Sequence, residues 1–225
     1  MLVIAHYTHS DGASRRTIRN ALNTTENSAD IVLVNIRLTK DNSLIVADAP
    51  FLDGKKEGPR VRTSTLKELR RYTAGSSHPI VSLSEVLKRL FGTCMLFFEV
   101  HEKAAAEPLL ASLGPFIHSN DDWSTILIGS ESPLLLRKIR RQAPLAQLSL
   151  THPRHAPLLF VAWHPVIRLS AVVIHRLSAS SLVIEAAHRL DILVCAYTVD
   201  RPKTAKRLET IGVDAVVTNH PEKFA

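Results

Sequence analysis

The sequence predicts an α/β protein folded as one (β/α)8 TIM barrel over residues 1–225, and three observations carry that expectation. Short runs rich in Val, Ile and Leu recur through the chain, amphipathic segments with helix-start signals separate them, and no repeat or low-complexity linker divides it. Alternation of this kind implies right-handed parallel crossovers. Eight such units in 225 residues come close to the usual barrel size of about 250. An open doubly wound sheet is the competing architecture, but no GxGxxG or Walker-type loop follows an early run.

The elements follow in order. Runs 2–5 and 31–36 read as the first two buried strands. Asp41-Asn42 then turns the chain into a short hairpin arm at 44–46, and 50–63 reads as a charged loop. Thr65 with Glu68, and Ser82 with Glu85, have capping-box spacing, in which each side chain satisfies a backbone N–H that the first helical turn leaves free. Strand-like runs follow at 94–100, 125–128 and 146–150, with Ser132-Pro133 as N-cap and first helical position between the last two. The segment 156–165, APLLFVAWHP, reads either as a barrel helix packed on the sheet or as an apolar lip for a substrate, another chain or lipid. Runs 171–174, 192–199 and 215–218 complete the set, and the helix at 203–211 ends at Gly212, a natural C-cap.

Composition narrows the function classes. The chain is 45% hydrophobic and 22% charged with mean hydropathy +0.06, which fits a folded globular protein and excludes a disordered or disulfide-stapled one. No apolar run reaches the about 18 residues of a membrane span, and the N-terminus lacks a signal-peptide pattern. Cys94 and Cys195 sit in apolar runs, as reduced buried thiols do, so a cytoplasmic location is expected. The net charge of +7 comes from short clusters, at 15–16, 55–62, 70–71 and 137–141, without a long basic tract or aromatic RNA-binding pattern. Solvated surface explains them better than nucleic-acid binding. Arg15 and Arg16 also lie where they can attract a phosphate to the rim.

Six stretches resemble the glycerophosphodiester phosphodiesterases across essentially the whole chain. VIAHYTHSDGASRRT is similar to I-A-H-R-G…E-N-T, and ADIVLVNIRLTKDNSLIVADAPFLDG to A-D-x-x-E-x-D-V-x-x-T-x-D-x-x-x-V-x-x-H-D-x-x-L-D. TSTLKELRRYTAG and HPIVSLSEVLKRL resemble the helical segments that follow, and MLFFEVH the strand ending I-E-x-K. AYTVDRPKTAKRLETIGVDAVVTNHPEKF is similar to W-T-V-N…G-V-D-x-x-x-T-D-x-P. The resemblance implies a metal-dependent barrel that cleaves glycerophosphodiesters to glycerol 3-phosphate and an alcohol. It also implies two histidines as acid and base, and three carboxylates on a divalent cation, Mg or Ca.

Carried over residue by residue, that site is much altered. His6 matches the first catalytic histidine, while Asp48 stands in place of the second, with Ala49 after it. Glu99 matches one metal carboxylate; Asn35 replaces another and Leu33 the third. Tyr7 and Thr8 replace Arg and Gly, His101 replaces a phosphate-contacting Lys, and Tyr197 replaces Trp. His6 and Asp48 are therefore the candidate catalytic pair, Glu99 and Asn35 the candidate metal ligands, and His101, His9 and Tyr197 the candidate substrate-binding residues.

Hard cations depend on carboxylate charge, and losing even ~3 kcal/mol of it weakens binding about a hundredfold. Asp48, if exposed, is ionised at neutral pH and cannot protonate a leaving alkoxide. These residues favour a family member that has lost metal-dependent hydrolysis and binds a phosphate-containing small molecule or a partner, with peripheral membrane contact open. The alternative is an active phosphodiesterase in which His6, Asp48 and Glu99, joined by His9 and His101, hold Zn or Mn in a rewired site.

Overall fold

The computed structural model describes residues 1–7, 18, 29–52, 57–76, 78–152 and 156–224. Eight parallel strands close into a barrel: β1 (Leu2–Tyr7), β2 (Ile31–Leu38), β4 (Met95–Val100), β5 (Ile126–Ser130), β6 (Gln147–Thr151), β7 (Ala171–His175), β8 (Leu193–Tyr197) and β9 (Ala215–Thr218). Closure is made by β1, which pairs β9 on one side and β2 on the other. A ninth strand, β3 (Leu44–Val46), turns back antiparallel on β2, Ile36 opposite Val46, as the hairpin at Asp41-Asn42 requires. All nine expected strand segments form.

The helices between strands are α1 (Leu66–Thr73), α2 (Leu83–Leu90), α3 (Ala106–Leu113), α4 (Pro133–Gln142), α5 (Leu159–Ile167), α6 (Ser181–His188) and α7 (Pro202–Thr210). Both capping boxes are present: the Thr65 hydroxyl accepts from Glu68 N–H and the Ser82 hydroxyl from Glu85 N–H, and each glutamate accepts from its N-cap N–H. Ser132 caps α4 with Pro133 at its first turn. Gly212, at φ +96, takes the left-handed conformation that ends α7 without a Cβ penalty.

α5 has no glycine after it. It ends at Arg168, at φ +55, and is closed by its neighbour. Arg140 of α4 donates from Nε to the Ile167 carbonyl (2.7 Å), from Nη2 to that of Arg168 (2.8 Å), and from Nη1 to that of Pro144. The apolar segment 156–165 is thus largely helical. Phe160 packs inward while Leu158, Leu159 and Val161 stay exposed, so the barrel-helix expectation holds for one face only.

Strand alternation sorts the side chains into two cores. Ile4, Leu33, Phe97, Leu127, Val173, Cys195 and Val217 fill the barrel interior, whereas Ala5, Val34, Phe98, Ile128 and Val172 face the helices. Neither Cys94 nor Cys195 is in a disulfide among the described residues, and burial pushes the Cys195 thiol up to about 12. Among the described residues of 50–63, Val61–Thr63 form a helical turn and Phe51 bridges Arg60, where the sequence read as a charged loop. No helix among the described residues is long and apolar enough to cross a membrane.

Candidate functional site

Period-two alternation decides which side chains reach the barrel mouth. On β1 the inward positions run Ile4, His6; on β2, Leu33, Asn35, Arg37; on β4, Phe97, Glu99, then His101 just beyond the strand. Parallel register puts Asn35 beside Glu99 and His6 beside Leu33. Asp48 arrives by a different route: the β2–β3 hairpin returns the chain so that Ala47 N–H donates to the Asn35 carbonyl, leaving the next residue above Asn35. His6, Leu33, Asn35, Glu99 and His101, with Thr151 and Tyr197, surround a mouth cavity of about 170 Å³. Asp48 does not line it.

Asn35 is the hub. Its Nδ2 lies 2.8 Å from His6 Nε2 and 3.1 Å from Asp48 Oδ1, and its Oδ1 lies 3.0 Å from His101 Nε2. The amide is turned with Nδ2 toward the Asp48 carboxyl oxygen, to which it donates. The tautomers follow. His6 Nε2 accepts from Asn35, so its Nδ1–H donates to Asn219 Oδ1 at 3.3 Å, and His101 donates from Nε2–H to Asn35 Oδ1. Every hydrogen of the Asn35 amide is used. His101 is held neutral, its pKa pushed down to about 4 by burial, with the nearby Arg37 charge adding and Asp48 opposing. Arg37 is itself buried, ion-paired to Glu102 at 2.9 Å and donating from Nη2 to the Asp48 carbonyl at 3.4 Å.

Glu99 does not join this network. It is 7% exposed and turns across the interior, where Oε2 accepts from the Thr151 hydroxyl at 2.9 Å and Oε1 has no partner among the described residues. Burial pushes its carboxyl up to about 8, against the Thr151 bond and with Glu131 adding to the rise, so it is largely protonated at neutral pH. Space for it comes from Gly129: a Cβ there would stand 2.4 Å from Glu99 Oε2 and 2.5 Å from the Phe97 ring. Glycine at 129 is a condition of this arrangement.

The residues singled out in the sequence are brought together only in part. His6, Asn35, Asp48 and His101 converge; Glu99 and Tyr197 line the same mouth but face other partners, the Tyr197 hydroxyl donating to the His152 carbonyl at 3.3 Å. His9, Thr8, Arg15 and Arg16 lie outside the described residues. Tyr7 is turned outward into the helix-facing core, which follows from alternation once His6 points in. The set His6, Asp48 and Glu99 does not assemble on one point, and among the described residues no group of three or more His, Cys, Asp or Glu side chains is placed to hold a metal ion. The reason is physical: Glu99 finds its hydrogen bond and its space on the β5–β6 side. Sequence reasoning also missed Arg37, Gly129, Thr151 and Asn219, all inward positions that the alternation signal marks.

The chain matches the glycerophosphoryl diester phosphodiesterase family over residues 12–223. It belongs to that family. A glycerophosphodiester phosphodiesterase of Caldanaerobacter subterraneus is 25% identical over 233 residues, covering 98% of this chain and 95% of the relative. Among solved structures, an Oleispira antarctica phosphodiesterase in complex with the product sn-glycerol-3-phosphate superimposes with TM-score 0.83 at 18% identity, covering 99% of this chain and 94% of the other. A glycerophosphodiester phosphodiesterase from Parabacteroides distasonis gives 0.80 at 20% identity, covering 99% and 94%. Both share the barrel.

Within this family member, the motif positions 200 and 219 are exchanged: Asp200 stands where the pattern has Asn, and Asn219 where it has Asp. The two residues touch. Asp200 Oδ1 accepts from Asn219 N–H (2.9 Å) and the Thr218 hydroxyl (3.0 Å), and Oδ2 accepts from Asn219 Nδ2 (3.3 Å). Reversing both partners keeps an acid–amide pair while putting the amide, not the acid, against His6. The donor set for a cation is correspondingly poor. Leu33 has no donor atom, Asn35 points N–H groups at His6 and Asp48, and Glu99 faces Thr151. These residues do not fit a carboxylate-bound Mg or Ca ion.

Proposed function

We propose that this chain binds a phosphate-bearing small molecule at the barrel mouth and has lost the metal-dependent hydrolysis of glycerophosphodiesters. One observation carries the loss: the Asn35 amide donates to both His6 and Asp48 where the family pattern has a metal-binding carboxylate. A cation placed there would meet N–H hydrogens instead of lone pairs. His6 Nε2, the lone pair that a general base needs, is already accepting a hydrogen bond, and His101 supplies no positive charge where the pattern has a lysine. Sn-glycerol-3-phosphate in the Oleispira structure supports the ligand class.

The test is turnover of glycerophosphocholine and of an aryl phosphodiester across Mg, Ca, Mn and Zn, with calorimetry of each cation and of sn-glycerol 3-phosphate. Expected are no turnover, no cation binding and measurable binding of the phosphate ester. Metal-dependent turnover abolished by His6→Ala and Glu99→Ala would establish the hydrolase instead.

A further inference from the structure

We propose that the phosphate group is held beside the barrel mouth, in the cleft after β7 and β8 that Arg176 and Arg201 line. This rests on the reading that the ligand carries a phosphate. The described residues lining the mouth cavity include no Lys or Arg, while two carboxyl groups, Glu99 and Glu131, do line it. A phosphate dianion seated there finds hydrogen-bond donors but no countercharge, and desolvating it without one is costly.

The neighbouring cleft differs. It has a volume of about 330 Å³ and is lined by Arg176, Thr198, Val199, Asp200, Arg201 and Thr204. Thr198 lines both cavities, so one molecule can place its phosphate in the cleft and its polyol or alcohol in the mouth. Arg176 is already oriented by the backbone: its own N–H donates to the Tyr197 carbonyl and its Nη1 to the Thr198 carbonyl, each at 2.8 Å. Its remaining guanidinium donors make no other hydrogen bond among the described residues. Arg201 is exposed and makes no ion pair among them.

Asp200 also faces the cleft, but its two oxygens are engaged by Thr218 and Asn219, which turns the carboxylate toward β9. Two guanidinium groups and one carboxylate leave the cleft net positive, and a planar guanidinium fork matches phosphate oxygens in pairs.

The experiment is calorimetric titration of the full chain with inorganic phosphate and with sn-glycerol 3-phosphate. It compares wild type, Arg201→Ala, Arg176→Ala, Arg176→Lys and, as a control for overall charge, Arg71→Ala on the exposed face of α1. Both cleft alanine variants are expected to weaken both ligands by about tenfold or more, the loss of one charge-assisted contact, with Arg176→Lys intermediate and Arg71→Ala unchanged. Arg201 is exposed, so its variant answers even where Arg176→Ala fails to fold. Wild-type binding that survives both cleft substitutions, or that Arg71→Ala weakens equally, overturns this subsite and leaves the phosphate-ligand reading standing. Wild type that binds neither compound overturns both.

Discussion

The two sides of the barrel mouth are built on opposite principles. On the β1, β2 and β4 side, Asn35 spends both amide hydrogens and its oxygen on His6, Asp48 and His101, and Asn219 takes up the His6 Nδ1–H. On the β7 and β8 side, Arg176 and Arg201 line an open cleft with guanidinium donors to spare. The first side is a polar network closed on protein partners; the second has guanidinium donors left over for something that is not protein. Hydrogen-bonding capacity is spent on one side of the mouth and left over on the other.

The sharpest way to break the comparison is Asn35→Leu. It removes the partner that His6, Asp48 and His101 share, and we expect a loss of roughly 3 kcal/mol in urea unfolding, in line with breaking a part-buried hydrogen-bond network. An unchanged midpoint would mean that the network is not structural. Next comes the double substitution Leu33→Glu with Asn35→Asp, which restores the carboxylate pattern. It should cost about 2 kcal/mol without cation, because the new carboxylate stands where Nδ2 is now 3.1 Å from Asp48, and should gain Mg or Mn binding absent from wild type. Cation-independent stability in that variant would show that position 35 is not what excludes the metal.

Glu99 supplies a pH test. Its folded pKa of about 8 lies above the ordinary 4.5, so the native state holds a proton that the unfolded chain releases, and stability falls as pH rises from 4.5 toward 8. His101 and His152, both pushed down by burial from 6.5 to about 4, act with the opposite sign: their contribution is full above 6.5 and is lost as pH falls toward 4. Together the three groups favour a stability maximum near pH 6.5. Glu99→Gln should abolish the decline on the alkaline side and steepen the rise on the acid side, as thermal melts between pH 4 and 9 would record. The smallest effect belongs to the cleft: Arg201→Ala should move stability by no more than about 0.5 kcal/mol, since the residue is exposed and unpaired among the described residues. A larger loss would make the cleft a structural feature like its neighbour.

Elements whose cause is local were legible in the sequence. Thr65 with Glu68 and Ser82 with Glu85 find each other within one helical turn, and Gly212 needs only its own missing Cβ. Strand positions were legible too, because burial on both faces leaves a continuous apolar run. The site was less so. His6 and Asn35 meet, but their contact joins positions 29 apart and depends on how an amide is turned. Glu99 was expected among the metal ligands because MLFFEVH resembles the family strand ending I-E-x-K; what diverts it is the missing side chain of Gly129 and the Thr151 hydroxyl, both on other strands. The Asp200–Asn219 exchange is a pair of departures from the motif 19 positions apart, and their contact is what joins them.

The reach of Arg140 across to the carbonyls of Ile167 and Arg168 bears on how the molecule opens. A helix that relies on an adjacent helix for its terminal acceptors cannot fray at that end by itself, and one whose guanidinium is so engaged cannot leave without exposing them. α4 and α5 are thus tied into one cooperative unit, and amides near Arg168 should exchange with deuterium at a rate set by the opening of α4.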